Sequence, residues 1–339
     1  MNTIVFFNNK GGVGKTSLVY HLAWMFAEMG VKVVAADLDP QANLTSMFLE
    51  EDRLEELWPD GEHQKSILGI IRPILRGTGD VSDPYIEVIQ CEIEDIADNI
   101  GLIVGDLGLS MFEDKLSDAW PRCNSRDESA FRIMSAFYRI MLRATELRQA
   151  DITLIDVGPN LGAINRAAMI ASQYITIPLA PDLFSLQGLK NLGPTLRQWR
   201  EEWKEKLSKN PDSSLDLPQG AMEPKGYVIL QHAMRADRPV KAYEKWMARI
   251  PDVYRESVIN AKSSNQTIGV EKDPYCLHML KHYRSLMPLA MEARKPIFFL
   301  KPADGAIGAH VKSVQACYAD FKALAKNIAK LCRISIESR

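Results

Sequence analysis

Residues 8–17 read Asn-Asn-Lys-Gly-Gly-Val-Gly-Lys-Thr-Ser, and this stretch decides the fold. An apolar run, Ile-Val-Phe-Phe, precedes it at residues 4–7, and a helical pattern of apolar residues begins at Leu18. A glycine loop between a buried strand and a helix directs backbone N–H groups and the positive end of the helix dipole toward one point. The sequence therefore predicts a phosphate-binding loop rather than a glycine-rich surface turn.

Two lysines and a threonine give the loop its predicted chemistry. In such a loop Lys15 reaches the β- and γ-phosphates of a nucleotide, and the hydroxyl of Thr16 binds Mg²⁺. The ordinary Walker A pattern has glycine at the position of Asn9, and this chain has an additional lysine, Lys10, at the mouth of the loop. The residues expected to surround the phosphates are Gly11, Gly12, Val13, Gly14, Lys15, Thr16 and Ser17.

Residues 10–16, Lys-Gly-Gly-Val-Gly-Lys-Thr, resemble the deviant Walker A loop of the ParA/MinD family of P-loop ATPases, in particular its ParA branch. The resemblance implies ATP and Mg²⁺ as cofactors, and slow ATP hydrolysis that a ParB-like or other protein stimulates. It also implies that Lys10 is catalytic and crosses a two-fold interface to the phosphates of a second copy. ATP would then favour a homodimer, and hydrolysis would loosen it.

The composition bounds the class of protein. Of 339 residues, 46% are apolar and 25% are charged, which is ordinary for a globular protein. No apolar run approaches the roughly 18 to 20 residues of a membrane span, so we expect a cytoplasmic protein without stable membrane insertion. The five cysteines form no Cys-x-x-Cys pair, which favours reduced thiols over a disulfide frame or a zinc site. With a formal net charge of −2, any nucleic-acid surface must be a local basic patch.

Apolar strands alternate with helical patterns along nearly the whole chain. This alternation predicts an α/β fold with a single doubly wound, mostly parallel sheet and flanking helices, and the resemblance implies that residues 1–339 form one P-loop NTPase domain. Residues 50–150 are longer than one crossover needs, so we expect an enlarged region on the same sheet, with Ser66 and Asp127 as helix N-caps. Residues 207–224 are polar, contain prolines and are expected to form a mobile surface loop.

Three carboxylates lie at the C-terminal ends of predicted strands, where open α/β sheets bind ligands. An apolar run ends at Asp37 and continues as Leu-Asp-Pro-Gln, and another apolar run ends at Asp156. Asp156 has the Walker B form and is expected to bind Mg²⁺ through water opposite Thr16. In the family the Asp-x-Asp-Pro-Gln turn positions the attacking water, so the resemblance implies this role for Asp39 and support of the Mg²⁺ shell by Asp37. Residues 157–162, after Asp156, resemble the second switch segment of the family. Gly158 stands where the family more commonly has proline, which implies a looser second switch.

Two further segments are expected near the adenine base. The strand predicted at residues 226–230 is followed by Gln231, which is expected to replace the asparagine that touches adenine in the family. Residues 296–300 resemble the family's last strand. The loop after that strand lies against the base in the family, which implies base contacts for Pro302 and Asp304.

A basic segment follows the strand at residues 226–230. Residues 225–262 carry eight lysines and arginines against four aspartates and glutamates. In the ParA branch, basic residues in the C-terminal half contact DNA phosphates without reading the sequence, and such binding weakens steeply with salt. A solvated helix face with mixed charges is the alternative interpretation. The candidate DNA-binding residues are Arg235, Arg238, Lys241 and Lys245.

The leading hypothesis is a ParA-type switch ATPase that dimerises with ATP, binds DNA non-specifically and acts in DNA partition or cargo positioning, which would associate it with the nucleoid. A MinD-like ATPase that cycles on membranes is one alternative, although residues 310–332 predict a helix whose single apolar stripe suits core packing. An iron–sulfur carrier of the same superfamily is disfavoured by the scattered cysteines. An ATP sensor that serves another system, such as a defence or secretion operon, stays open.

Overall fold

The computed structural model describes residues 1–90, 98–230, 240–262, 268–283 and 285–336. The strands in these ranges are β1 Thr3–Phe6, β2 Val33–Asp37, β3 Glu87–Val88, β4 Ile100–Ile103, β5 Ile152–Asp156, β6 Tyr174–Leu179, β7 Glu223–Leu230 and β8 Cys276–Leu280. The α-helices are α1 Lys15–Glu28, α2 Asn43–Phe48, α3 Glu51–Leu57, α4 Ile67–Arg76, α5 Phe112–Arg122, α6 Glu128–Met134, α7 Ala136–Arg148, α8 Ala163–Ala171, α9 Leu183–Leu207, α10 Val240–Met247, α11 Ile250–Val253, α12 Met287–Ala293 and α13 Ala309–Cys332.

The strands form one sheet in the order β3-β4-β2-β5-β1-β6-β7-β8. Neighbouring strands are parallel, except that β3 runs antiparallel to β4. Helices cover both faces: α1, α12 and α13 pack on one face, and α4 to α9 pack on the other. The predicted doubly wound, mostly parallel α/β fold is confirmed.

The carboxyl ends of the central strands meet at one edge of the sheet. Phe6 at the end of β1 lies opposite Asp156 at the end of β5, and Asp156 lies opposite Asp37 at the end of β2. Since these three strands are parallel, the loops that follow them emerge side by side. The register therefore brings the glycine loop and the predicted carboxylates to the same place.

Burial explains why the apolar runs form strands in the middle of the sheet. Every residue of β1, β2, β5 and β6 is buried, as expected for parallel strands that are covered on both faces. The tail helix α13 turns Cys317, Phe321 and Leu324 toward the core, so the prediction of a core-packed tail helix is confirmed. Within the described part of the chain, no helix combines the length and the hydropathy that a membrane span requires.

The enlarged region at residues 50–150 extends the same sheet. It adds β3 and β4 beside β2 and supplies the helices α4 to α7. Ser66 and Asp127 are the N-caps of α4 and α6, as predicted, since their side chains accept hydrogen bonds from backbone N–H groups of the first turn. After Asp127 the chain forms two helices, α6 and α7, which are divided at Ser135, whose hydroxyl donates to Phe131 O at 2.7 Å.

The prediction of a last strand at residues 296–300 is wrong. Residues Ile297–Phe299 form a 3₁₀ helix, and the sheet ends at β8. A short apolar run does not by itself distinguish a strand from another buried segment. Here the ring of Phe298 packs between α1 and α13, with centroid distances of 5.8 Å to His21 and 5.7 Å to Phe321. The apolar run therefore serves packing between helices rather than strand pairing.

The loop predicted at residues 207–224 connects α9 to β7 and is held by polar contacts. Trp203 Nε1 donates to Pro218 O at 2.9 Å, and Asp212 pairs with Arg132 of α6 at 3.0 Å. The mobility of this loop stays a prediction.

Candidate functional site

The glycine loop runs from β1 to α1 and is tied to the neighbouring strand β6. Asn8 donates from Nδ2 to Pro178 O at 2.7 Å, and its Oδ1 accepts the backbone N–H of Lys10 at 2.9 Å. Gly12 and Gly14 have φ values of 71° and 90°, in the left-handed region that favours glycine. A Cβ at Gly12 would meet no described atom within 4 Å, so the loop faces open space. The N-terminus of α1 thus lies behind a cradle of the kind that binds phosphate.

Lys15 is the first residue of α1 and is buried, with 7% of its surface exposed. Burial lowers the pKa of Lys15, and the nearby carboxylates of Asp156 and Asp39 oppose that change. The structure therefore brings the predicted phosphate-binding lysine close to two of the three predicted carboxylates.

Asp156 is the carboxylate that best fits a metal ion. It is fully buried, and among the described residues neither of its carboxylate oxygens has a hydrogen-bond partner. Burial and the neighbouring Asp37 raise the pKa of Asp156 well above its usual value, and the hydroxyl of Thr16 and the ammonium of Lys15 oppose this rise only in part. A buried carboxylate without a partner is costly, and a hard cation that prefers oxygen ligands removes that cost. Thr16 and Asp156 therefore fit Mg²⁺.

Asp37 already has partners within the chain. Its Oδ2 accepts hydrogen bonds from Thr45 N at 2.8 Å and from Thr45 Oγ1 at 2.7 Å, at the beginning of α2. Burial raises the pKa of Asp37 to about 7, although these hydrogen bonds act in the opposite direction. Thr45 Oγ1 also accepts the backbone N–H of Gly105, so Asp37 helps to join the ends of β2 and β4. A part for Asp37 in the Mg²⁺ shell stays a prediction.

Asp39 faces the segment that follows Asp156. Its Oδ1 accepts the backbone N–H of Gln41 at 3.0 Å, and a Cβ at Gly158 would lie 3.3 Å from the same oxygen. Asn165 of α8 donates from Nδ2 to Gly158 O at 2.8 Å and so fixes this side of the contact. Sequence reasoning missed Asn165, because an asparagine inside an apolar helix gives no signal of a partner seven residues away. The segment after Asp156 is therefore held by a hydrogen bond from α8, and it also lies next to Asp39.

Lys10 contacts α9 within its own chain. Its ammonium pairs with the carboxylate of Asp182, the N-cap of α9, and lies 5.8 Å from the centroid of the Phe184 ring. Burial acts to raise the pKa of Asp182, but the hydrogen bonds from Lys10 and Ser185, together with the charge of Lys10, outweigh burial, and the pKa is lowered. Lys10 and Lys15 thus have different partners, and the predicted reach of Lys10 to a second copy stays a prediction.

An apolar cleft of about 170 Å³ opens beside the glycine loop. Val13 and Ser17 line one side of it, and residues 280–283, at the end of β8 and directly after it, line the other. Pro302 and Asp304, which were expected against the base, are not among the residues that line this cleft; they belong to a separate 3₁₀ helix, Pro302–Asp304. The segment that reaches the glycine loop is the one that follows β8, and base contacts for Pro302 and Asp304 stay a prediction.

The predicted DNA-binding residues lie mostly beyond what the structure describes. Gln231, Arg235 and Arg238, together with the side chain of Lys241, are outside the described residues. Lys245 is exposed, and its ammonium lies 5.2 Å from the centroid of the Trp246 ring. The guanidinium of the exposed Arg249 lies 5.2 Å from the same ring. These two cations form a small basic patch around one tryptophan.

Comparison with known proteins agrees with this geometry. The sequence model of the AAA domain family matches residues 1–209, which is more than half of the chain. This chain belongs to the ParA/MinD family of P-loop ATPases. As in that family, its phosphate loop is of the ATP-binding type.

The relatives of this ParA/MinD-type ATPase match it over different lengths. Protein IncC from Escherichia coli is 29% identical over 203 residues, which are 60% of this chain and 47% of IncC. The ATP complex of a Cyanothece McdA variant has a TM-score of 0.62 at 14% identity and covers 100% of this chain and 99% of that one. The structure of pNOB8 ParA bound to nonspecific DNA has a TM-score of 0.56 at 17% identity and covers 98% of each chain. The two structures share the fold with this chain, whereas the match to IncC spans about half of that relative.

Proposed function

We propose that this chain is an ATP-dependent switch of the ParA type, which dimerises with Mg·ATP and acts in DNA partition or cargo positioning. The observation that carries the proposal is the grouping of Lys15, Thr16 and Asp156 at the mouth of the glycine loop. Lys15 is a buried cation, and Asp156 is a buried carboxylate whose oxygens accept no hydrogen bond within the described residues, although the charges of the two side chains act on each other. A triphosphate and Mg²⁺ supply both complements at once.

Hydrolysis in this site would depend on positioning and charge rather than on covalent chemistry. Mg²⁺, held by Thr16 and Asp156, neutralises charge on the phosphates when it is bound. Lys15 binds the γ-phosphate oxygens, and Asp39 orients the attacking water. We expect hydrolysis to be slow alone and faster with a ParB-like or other partner.

Exposed apolar side chains support a dimer of this chain. Leu107 and Met111 follow β4 and are 61% and 60% exposed, and Leu183 and Phe184 follow β6 and are 52% and 71% exposed. They flank the strands whose loops carry the nucleotide site. A second copy that covered this edge would remove apolar surface from water. It would also bring Lys10 toward the phosphates of its partner.

Two observations support non-specific DNA binding in the ATP state. The chain shares its fold with pNOB8 ParA, whose structure was solved with nonspecific DNA. Lys245 and Arg249 form an exposed basic patch. Because the net charge of the chain is −2, contacts to DNA phosphates require a local basic patch of this kind. Arg235, Arg238 and Lys241 remain candidates for phosphate contacts of the same kind. Such binding would associate the cytoplasmic protein with the nucleoid.

The apolar cleft beside Val13 and Ser17 is the proposed site of the adenine base. Its walls are mostly apolar, as is usual for a pocket that holds a planar ring. Gln231 directly follows Leu230, which lines the cleft, and remains a candidate for a polar contact to the base. Pro302 and Asp304 do not line this cleft, and base contacts for them stay a prediction.

DNA retention with different nucleotides tests the proposed function. The full chain is applied to an immobilised duplex of arbitrary sequence with Mg²⁺ and either ATP or ADP, at about 50 mM and about 200 mM salt. We expect retention with ATP, loss with ADP, and a steep fall in affinity at the higher salt concentration. Equal retention in both nucleotides would contradict the proposal. ATP-dependent sedimentation with anionic vesicles would instead favour the membrane-cycling alternative, against which the inward stripe of α13 argues.

A further inference from the structure

The N-terminus of α8 is capped by a side chain from another helix. This helix follows the second switch, residues 157–162, and its N-cap is Gly162, which has no side chain to accept the first free N–H groups. Glu113 of α5 takes that place. Its Oε1 accepts the N–H of Ala163 at 2.5 Å, and its Oε2 accepts the N–H of Ile164 at 2.8 Å. The carboxylate also complements the positive end of the helix dipole.

Gly162 is the residue that permits this contact. A Cβ at position 162 would lie 2.6 Å from Glu113 Oε1, which is closer than real Cβ contacts. The φ of Gly162 is −76°, so the backbone does not require glycine at this position. Asn160 Oδ1 would lie 2.9 Å from the same Cβ, so the close approach of Glu113 and Asn160 together accounts for the glycine.

The beginning of α8 fixes the second switch. Asn165 donates from Nδ2 to Gly158 O at 2.8 Å and to Asn160 O at 2.6 Å. Gly158 borders the carboxylate of Asp39, since a Cβ there would lie 3.3 Å from Asp39 Oδ1. A continuous set of contacts thus leads from Glu113 through α8 and the switch to the proposed water-orienting residue.

We propose that Glu113 is a positioning residue for ATP hydrolysis. By accepting the N–H groups of Ala163 and Ile164, it keeps the second switch where Asp39 can orient the attacking water. The inference rests on the proposed ATPase function, because it assigns a role within that reaction. Glu113 lies on α5, so the role also connects the enlarged region at residues 50–150 to ATP hydrolysis.

Steady-state ATP hydrolysis by the full chain tests this role. In Glu113→Gln an NH₂ group faces a backbone N–H, so one of the two hydrogen bonds is lost. Asp114→Asn is the matched control, because Asp114 is an exposed acidic residue in the same turn of α5. We expect Glu113→Gln to lower kcat by roughly tenfold to a hundredfold, since small displacements in an active site have effects of that size. KM and the affinity for a fluorescent ATP analogue should stay within about twofold, because the ground-state contacts to the nucleotide are unchanged.

A second variant approaches the same contact from the other side. Gly162→Ala should displace Glu113 and lower kcat to a similar extent. Because both changes disturb the contact of Glu113 with α8, although the alanine Cβ would also lie 2.9 Å from Asn160 Oδ1, the losses in the double variant should be less than additive. Thermal melting by circular dichroism accompanies each assay, and a fall in kcat that matches the unfolded fraction would overturn the proposal.

Other outcomes separate this inference from the proposed function. Wild-type kcat in Glu113→Gln, an equal fall in Asp114→Asn, or fully additive losses in the double variant would overturn the role of Glu113. A wild-type protein that binds ATP without hydrolysing it would instead contradict the proposed ATPase function, whatever the variants do.

Discussion

Acidification should destabilise this protein through His21, a fully buried residue of α1. Its Nδ1 donates to Ser17 O at 2.7 Å, and its Nε2 accepts the N–H of Ile297 at 3.2 Å, so the neutral ring satisfies both partners. The ring also stacks on Phe321, with a centroid distance of 4.9 Å. A proton on Nε2 would face the N–H of Ile297, which cannot accept it. Burial accordingly lowers the pKa of His21 to about 4.

The sign and the size of the effect follow from that pKa. Since the folded-state pKa of His21 lies below the unfolded value of about 6.5, the unfolded chain binds the proton first as the pH falls. The stabilisation is complete above about pH 6.5 and is lost as the pH falls toward about 4. The loss is about 2 kcal/mol at pH 5 relative to pH 8, and it approaches about 3 kcal/mol at lower pH.

Urea unfolding at pH 8, 6.5 and 5 measures this loss in wild type and in His21→Gln. The difference in the free energy of unfolding between the two proteins at each pH cancels the contribution of the other titrating groups, including Asp37 and Asp156. His310→Gln, at a partly exposed histidine of α13, is the matched control. We expect wild type to lose about 2 kcal/mol more than His21→Gln between pH 8 and pH 5. If the free energies of unfolding of wild type and His21→Gln change with pH in parallel, within about 0.5 kcal/mol, then protonation of His21 does not destabilise the fold.

Two other predictions concern the nucleotide and DNA sites. Asp156→Asn should retain ATP binding without Mg²⁺ but hydrolyse ATP roughly a hundredfold more slowly, because the cation loses its buried carboxylate; hydrolysis at the wild-type rate would contradict the metal assignment. Lys245→Ala and Arg249→Ala should each reduce the slope of log affinity for DNA against log salt by about 0.9, whereas Lys204→Ala, at an exposed lysine of α9, should not. Unchanged slopes in the first two variants would argue against this patch as a DNA surface.

The parts of the fold that follow from local patterns were predictable. The glycine loop lies between a strand and a helix in one continuous segment, so residues 8–17 predicted both the site and the fold. The same holds for Asp156, which ends an apolar run at the carboxyl edge of the sheet. Local patterns failed at residues 296–300, because an apolar run there packs Phe298 between helices instead of pairing in the sheet.

The parts of the site that depend on distant contacts were not predictable. Glu113 lies 50 residues before Ala163, and an acidic residue in the first turn of a helix is ordinary. Lys10 was assigned from the resemblance alone, and its pairing with Asp182 joins positions 172 residues apart. The lining of the cleft beside Val13 and Ser17 was not predictable either, because it depends on which segment forms the last strand of the described sheet.

If bound ATP acts as a signal between two copies of this chain, as proposed, removal of the Lys10 ammonium should abolish dimerisation with ATP. The measurement is the mass of the full chain by analytical ultracentrifugation with Mg·ATP or Mg·ADP, for wild type, Lys10→Ala and Lys190→Ala. Lys190 is the matched control, because it is an exposed lysine of α9. We predict that wild type and Lys190→Ala are dimers with ATP and monomers with ADP, and that Lys10→Ala binds ATP but stays monomeric. If Lys10→Ala dimerises with ATP as fully as wild type does, Lys10 does not couple bound ATP to a second copy of the chain.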